Sequence, residues 1–271
     1  MTKLYKENDF RDNCGFGLIA SIDGVQSRKI VQDSIDALVS MTHRGGIGSD
    51  GKTGDGCGLL VDVNSDFYIK TIQKEQKIKL QNRFAVGQLF YFQSISKLIP
   101  QIDRILSKEG LTLITHREVP TDKSILGNIA LDCLPNIYQL FIESNDKNLS
   151  EDKFQTAILQ ARKFIEEIYL DDEKLYFCSM SSKTIIYKGL MLPSDINNFY
   201  LDLKSKHFKS SICVFHQRFS TNTSPRWHLA QPFRLLAHNG EINAIRGNRN
   251  WVKARSNLFK TPLIPKVQKF K

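Results

Sequence analysis

VFHQRFSTNTSPRWHLAQPFRLLAHNGEINAIRGNRNW, from Val214 to Trp251, is the stretch the rest of the chain is organised around. Two apolar runs, Ile212–Phe215 and Phe233–Ala237, read as buried strands from their length and their β-branched or aromatic content. Each is followed by polar residues that burial alone does not require. After the first come His216-Gln217-Arg218-Phe219-Ser220-Thr221-Asn222-Thr223, and after the second His238-Asn239-Gly240-Glu241.

Asn239-Gly240 has two readings. Asn-Gly is the strongest short hairpin signal, yet the following EINAIRGNRNWVKA offers no second strand. The other reading is an oxyanion site, in which an Asn side chain and a Gly N–H sit side by side with no Cβ in the way. Arg218 is similarly double. It is either a solvated strand end or, ahead of the hydroxyl and amide groups of Ser220 to Thr223, a bidentate grip for a carboxylate or zwitterion. This stretch contains no nucleophile.

The 271 residues are 41% hydrophobic with no low-complexity tract, which fits one large domain or two small ones. No apolar run approaches the roughly 18 residues of a membrane span. MTKLYKENDFRDN has no apolar centre, so it is not a secretory signal. The net charge of +10 is scattered and accompanies no nucleic-acid-binding motif, so nucleic acid is not an expected partner. Five cysteines (Cys14, Cys57, Cys133, Cys178, Cys213) show no CxxC spacing. Four sit in apolar segments and read as reduced core residues, which places the protein in a reducing compartment, cytoplasmic or the plastid stroma.

Along the chain, residues 1–13 are polar and without periodicity, and the character changes at Cys14. CGFGLIASI reads as a strand, and SRKIVQDSIDALVSM as a helix with Ser27 as N-cap. Seven glycines fall between His43 and Gly58, more than a solvated connector needs, and they match neither a dinucleotide-binding nor a P-loop pattern. Leu59–Val63 and residues 84–92 read as strands. Residues 94–110 read as a helix that Pro100 kinks. LTLITHREVP and IYQLFIES read as strands, EDKFQTAILQARKFIEEIYL as an amphipathic helix, and LYFCSM with TIIYKG as a hairpin around Ser181-Ser182-Lys183. Many strands, a few long helices and no linker predict one α+β layered domain.

Cys14 is the candidate nucleophile. A Cys opening an apolar strand is commonly a packing residue. Here it stands at the boundary of a disposable leader, and Gly15 and Gly17 keep its surroundings open. Removal of residues 1–13 would give it a free α-amino group with a reference pKa of about 8. Such an amine serves as general base to its own thiol.

This constellation resembles the class II, N-terminal-nucleophile glutamine amidotransferases, and most closely the amidotransferase domain of the glutamate synthase large subunit. The resemblance is carried by CGFGLIASIDG, THRGGIGSDGKTGDGCGLL, REVP…LGNIA…PNIYQLFI, RFSTNTSPRWHLAQPFRLLAHNGEINAIRGNRNW. It implies a four-layer αββα sandwich of two antiparallel sheets over residues 14–271, preceded by a leader at 1–13. It further implies that Cys14 attacks the glutamine carboxamide, that Asn239 and Gly240 hold the oxyanion, and that Arg218 binds the α-carboxylate. Phe219, Thr221 and Asn222 would line the pocket. In the family, ammonia passes to a synthase region that aminates 2-oxoglutarate with FMN, an iron–sulfur cluster and NADPH or ferredoxin. None of that region is expected within these residues.

The chain departs from the family after the GNRNW block. No residue here matches the Asp that grips the substrate α-amino group, so the domain reads as incomplete at its C-terminal end. The alternatives are a non-catalytic module that docks on a synthase subunit, or another class II amidotransferase.

Overall fold

A computed structural model of the chain describes residues 15–169, 174–218, 224–235, 245–262 and 264. Among the described residues eight strands form two antiparallel sheets of four. The first contains β1 (Phe16–Ala20), β2 (Cys57–Asp62), β7 (Thr184–Gly189) and β8 (Ile212–Gln217), in the order β1-β8-β2-β7. The second contains β3 (Ala85–Tyr91), β4 (Leu111–Glu118), β5 (Asn136–Ser144) and β6 (Leu175–Ser181), in the order β4-β5-β3-β6. The expected hairpin at Ser181-Ser182-Lys183 does not form: β6 pairs with β3 and β7 with β2, so this turn carries the chain from an edge strand of one sheet to an edge strand of the other.

The helices are α1 (Arg28–Ser40), α2 (Ser65–Gln76), α3 (Ile99–Lys108), α4 (Asn128–Asp132), α5 (Glu151–Ile168), α6 (Ile196–Phe199) and α7 (Arg246–Arg255). Ser27 caps α1 as expected, its hydroxyl accepting from the Ile30 N–H. Ser150 does the same for α5, whose first turn carries Glu151 and Asp152 at the positive end of the helix dipole. α2 is the longest of the helices that periodicity did not reveal. Asn64 starts it, accepting from the Phe67 N–H at 2.7 Å, and Lys77 ends it with a left-handed φ of 61°. Pro100 does not kink α3. It lies in the first turn, where its missing N–H has no helical partner to lose, and a separate 3-10 turn, Ile95–Lys97, precedes it.

The apolar side chains form two clusters. One joins the outer face of the second sheet (Leu89, Leu140, Ile142) to α3 and α5 through Ile102, Leu106, Phe154, Ile158 and Ala161. The other brings the opposite face of that sheet (Val86, Phe90, Phe141) together with α1, α2 and first-sheet residues including Leu59, Tyr187 and Phe215. A buried polar relay crosses this second core. Gln88 donates to the Ile186 carbonyl at 2.7 Å, Gln139 to Gln88 Oε1 at 2.9 Å, and Arg117 Nε to Gln139 Oε1 at 2.9 Å. Arg117 also pairs with Asp202 at 2.5 Å, and Asp202 accepts from Tyr187 at 3.2 Å. Two antiparallel sheets with their covering helices make the α+β sandwich that the resemblance implies.

Two further expectations are corrected. Cys133 is exposed rather than core, because it follows the short α4 at the surface, where its thiol donates to the Ile129 carbonyl. The described part of Phe233–Ala237 is not a strand: Phe233 to Leu235 runs irregularly, with Leu235 79% exposed. Pro232 offers no N–H to a ladder, and Phe233 turns its ring to the Lys188 ammonium, 4.6 Å from the centroid. Leu236 and Ala237 lie outside the described residues.

Candidate functional site

Antiparallel pairing brings four strand ends to one edge of the first sheet. Phe16 at the start of β1 faces His216 near the end of β8, Cys57 at the start of β2 faces Gln217, and Cys57 also faces Gly189 at the end of β7. Gly15 is fastened here too, its carbonyl accepting from the Gln217 N–H at 2.5 Å. Its predecessor in the chain, Cys14, lies outside the described residues.

The glycine-rich segment packs onto this edge. Thr42–Arg44 is a 3-10 turn closed by Gly45. A Cβ on Gly15 would stand 2.4 Å from the Gln217 carbonyl oxygen and 3.3 Å from Arg44 Cβ. A Cβ on Gly45 would stand 1.9 Å from Gln217 Nε2 and 2.9 Å from Asp55 Oδ1. At both places glycine is required by close approach rather than by backbone angle. Beyond them, Asp50 ties the segment to α4. Its carboxylate accepts from the Thr53 N–H at 2.8 Å and hydroxyl at 2.6 Å, and from the Ile129 N–H at 3.0 Å. Those bonds, led by the Thr53 hydroxyl, hold the Asp50 carboxyl below its usual range.

Arg218 directly follows β8 with a φ of 94°, an uncommon angle for a residue with a side chain. Its N–H donates to the Gly56 carbonyl at 3.0 Å, which fixes this turn of the backbone. Of the predicted pocket residues, Arg218 is thus at the sheet edge beside Gln217 and Gly56. Phe219, Thr221, Asn222, Asn239 and Gly240 lie outside the described residues.

The segment leading toward Asn239 is anchored before it leaves the described region. Trp227 is buried, donates its indole N–H to the Ala130 carbonyl at 3.1 Å, and packs edge-on to Phe90. A Cβ on Gly189 would strike its ring at 2.2 Å. Lys188, fully buried, donates to the His228 carbonyl at 2.8 Å and to Tyr176 Oη at 3.2 Å. Gly58, opposite both Lys188 and His216, lets the Gln231 carbonyl lie where its Cβ would be, at 2.5 Å. Burial lowers both flanking bases, His216 to about 4 and Lys188 to about 8.

The three buried thiols are poor nucleophiles. Burial raises Cys57 far above its usual value, and raises Cys178 and Cys213 to about 12 each. Sequence reasoning passed over Gln217, Asp50, Trp227 and Lys188. The available signals were polar residues inside apolar strands for Gln217 and Lys188, and an Asx pattern three residues long for Asp50.

Among the described residues no three His, Cys, Asp or Glu side chains gather as a metal site, and no helix is long and apolar enough to cross a membrane.

A sequence profile of the class-II glutamine amidotransferases matches residues 14–271. The chain is 40% identical over 258 residues to ferredoxin-dependent glutamate synthase 1 of Arabidopsis thaliana, covering 92% of this chain and 16% of that protein. It is 38% identical over 266 residues to the glutamate synthase [NADPH] large chain of Azospirillum brasilense, covering 95% and 17%. The corresponding large chain of Bacillus subtilis is 38% identical over 260 residues, with 94% and 17% covered. The chain thus spans about one sixth of these relatives. Profile, identity and the sheet edge where the glycine-rich segment meets Gly15 and Arg218 agree, and the chain belongs to the class II glutamine amidotransferase family.

Proposed function

We propose that the chain is the glutaminase part of a glutamate synthase, hydrolysing glutamine to glutamate and ammonia with Cys14 as nucleophile. The observation that carries this reading is the bond from Gln217 to Gly15, which sets the residue after Cys14 beside the strand end bearing Arg218. Cleavage after Asn13 frees the Cys14 α-amine, which takes the thiol proton. The thiolate sulfur then bonds to the glutamine Cδ, and the carbonyl oxygen becomes an oxyanion held by the Asn239 amide and the Gly240 N–H. Collapse breaks the C–N bond, the ammonium form of the Cys14 amine returns its proton to nitrogen, and ammonia leaves a thioester. Water, deprotonated by the same amine, releases glutamate and restores the thiol. Arg218 holds the α-carboxylate throughout, with Phe219, Thr221 and Asn222 around it.

In the full enzyme the ammonia would pass to a synthase region carrying FMN, an iron–sulfur cluster and an electron donor, NADPH or ferredoxin. No step above uses those groups. The expected compartment is the cytoplasm or a plastid stroma.

Glutamate release by purified protein, read together with intact mass, tests this reading. Active protein should begin at Cys14, and an active species retaining Met1–Asn13 sinks the mechanism. Asn239 acts only on transition-state charge, so Asn239→Ala should lower kcat by about 10²–10³ at nearly constant KM. Arg218→Ala should chiefly raise KM. Protein cleaved at Cys14 that releases no glutamate would favour a docking module instead.

A further inference from the structure

At the centre of the candidate site is a buried side chain whose polar atoms are left over. Gln217 is fully buried, and neither its Oε1 nor its Nε2 has a hydrogen-bond partner among the described residues. Buried carboxamides are almost always paired, and an unpaired one in a native fold calls for a reason. The amide is not in a loosely packed corner. Its nitrogen and Asp55 Oδ1 both lie against Gly45, at 1.9 and 2.9 Å from the position a Cβ would take there. Its backbone N–H is bonded to Gly15, and the next residue is Arg218 in its constrained conformation. One residue therefore touches the strand that follows Cys14, the turn that carries Arg44, and the start of the Arg218 turn.

Packing alone would favour an apolar side chain of the same length, such as methionine, at this position. It would fill the same volume without burying two unsatisfied groups. A fold that keeps a carboxamide here at a cost in stability has the pattern of a functional position.

We propose that Gln217 is a positioning residue of the glutamine site, an inference that rests on the glutaminase reading above. Its carboxamide wedges the Thr42–Gly45 turn at a fixed distance from the start of β1, and its two free hydrogen-bonding groups are taken up when glutamine occupies the site. It makes no bond to the reacting atoms and acts through the placement of Cys14 and the Arg44 turn.

The test compares the parent chain with Gln217→Met. Removing the unpaired amide should raise the ligand-free melting temperature by about 2–4 °C. Loss of the two hydrogen-bonding groups should lower kcat for glutamine about 10²-fold, with KM within a few-fold. An unchanged kcat overturns the proposal, and so does a lower melting temperature, because the amide would then be a structural bond. If the parent releases no glutamate, the glutaminase reading falls but the inference is still decided by iodoacetamide labelling. Cys14 in Gln217→Met should then react at a rate changed tenfold or more while the exposed Cys133 reacts at the parental rate; equal rates at Cys14 overturn it.

Discussion

The backbone N–H of Gln217 donates to the carbonyl of Gly15 at 2.5 Å, so the last residue of β8 is locked to the residue following Cys14. Two segments about 200 residues apart in sequence are held in register by this bond and by the five β1–β8 pairs beyond it. Local propensity cannot build such a site; it exists only when the sheet is complete.

Gly45 has a β-region φ of −101°, so alanine there is permitted by the backbone. The obstacle is space, since the new methyl meets Gln217 Nε2 and Asp55 Oδ1. Gly45→Ala should cost about 1–3 kcal/mol, the usual range for overpacking. Urea unfolding checks this, and the added change Gln217→Ala should recover part of the loss. No recovery would mean that the collision is elsewhere.

Trp227 joins the segment before Asn239 to α4 and to the rings of Phe90 and Phe199. Trp227→Ala should destabilise by about 3–5 kcal/mol. Trp227→Phe keeps most of the packing and loses only the bond to the Ala130 carbonyl, at a cost of about 1 kcal/mol. Chemical denaturation of the two variants separates ring volume from hydrogen bond.

Arg117 has two acidic partners of unequal burial. Asp202 is buried with it, whereas the Glu75 side chain is 42% exposed. Asp202→Ala leaves the buried guanidinium without its buried partner, with only the partly exposed Glu75 at 3.3 Å, and should cost about 3–5 kcal/mol. Glu75→Ala should cost no more than about 1 kcal/mol. Comparable losses for the two would refute the assignment of Asp202 as the principal partner.

His216 and Lys188 bind protons less readily folded than unfolded, both chiefly through burial. For His216 the unfolded chain takes up protons first as pH falls from 6.5, and the folded form follows only near 4. Its contribution to stability is therefore complete above 6.5 and is lost on acidification through that interval. For Lys188 the same sign places the rise in stability between about 8 and 10.5. Cysteines with raised pKa oppose the second trend, so each effect is best read as a difference between parent and variant. Relative to His216→Leu the parent should lose stability on acidification, and relative to Lys188→Met it should gain stability on going alkaline. A flat difference in either comparison contradicts the burial described here.

The sequence by itself determined the local elements and the family. Ser27 and Ser150 announced their helices because capping is chemistry between near neighbours. Apolar runs located the eight strands among the described residues, and the motif blocks around Cys14, His43–Gly58 and Arg218 identified a class II amidotransferase. Where the reading failed, tertiary contacts had the deciding role. Phe233 left its apparent strand for a fully buried lysine, Cys133 came out to the surface, and Pro100 found the one turn of a helix that tolerates it. The glycines carry the same lesson. Their number showed that something came close, but only the folded sheet revealed that Gly45 makes room for Gln217, Gly58 for the Gln231 carbonyl and Gly189 for Trp227. Each of those partners is far away in sequence, and steric exclusion between distant residues leaves no periodic trace in the chain. The unpaired carboxamide of Gln217 is the extreme case: an ordinary polar residue in the sequence, and a buried one without a partner among the described residues only after β1, β2 and β8 have come together.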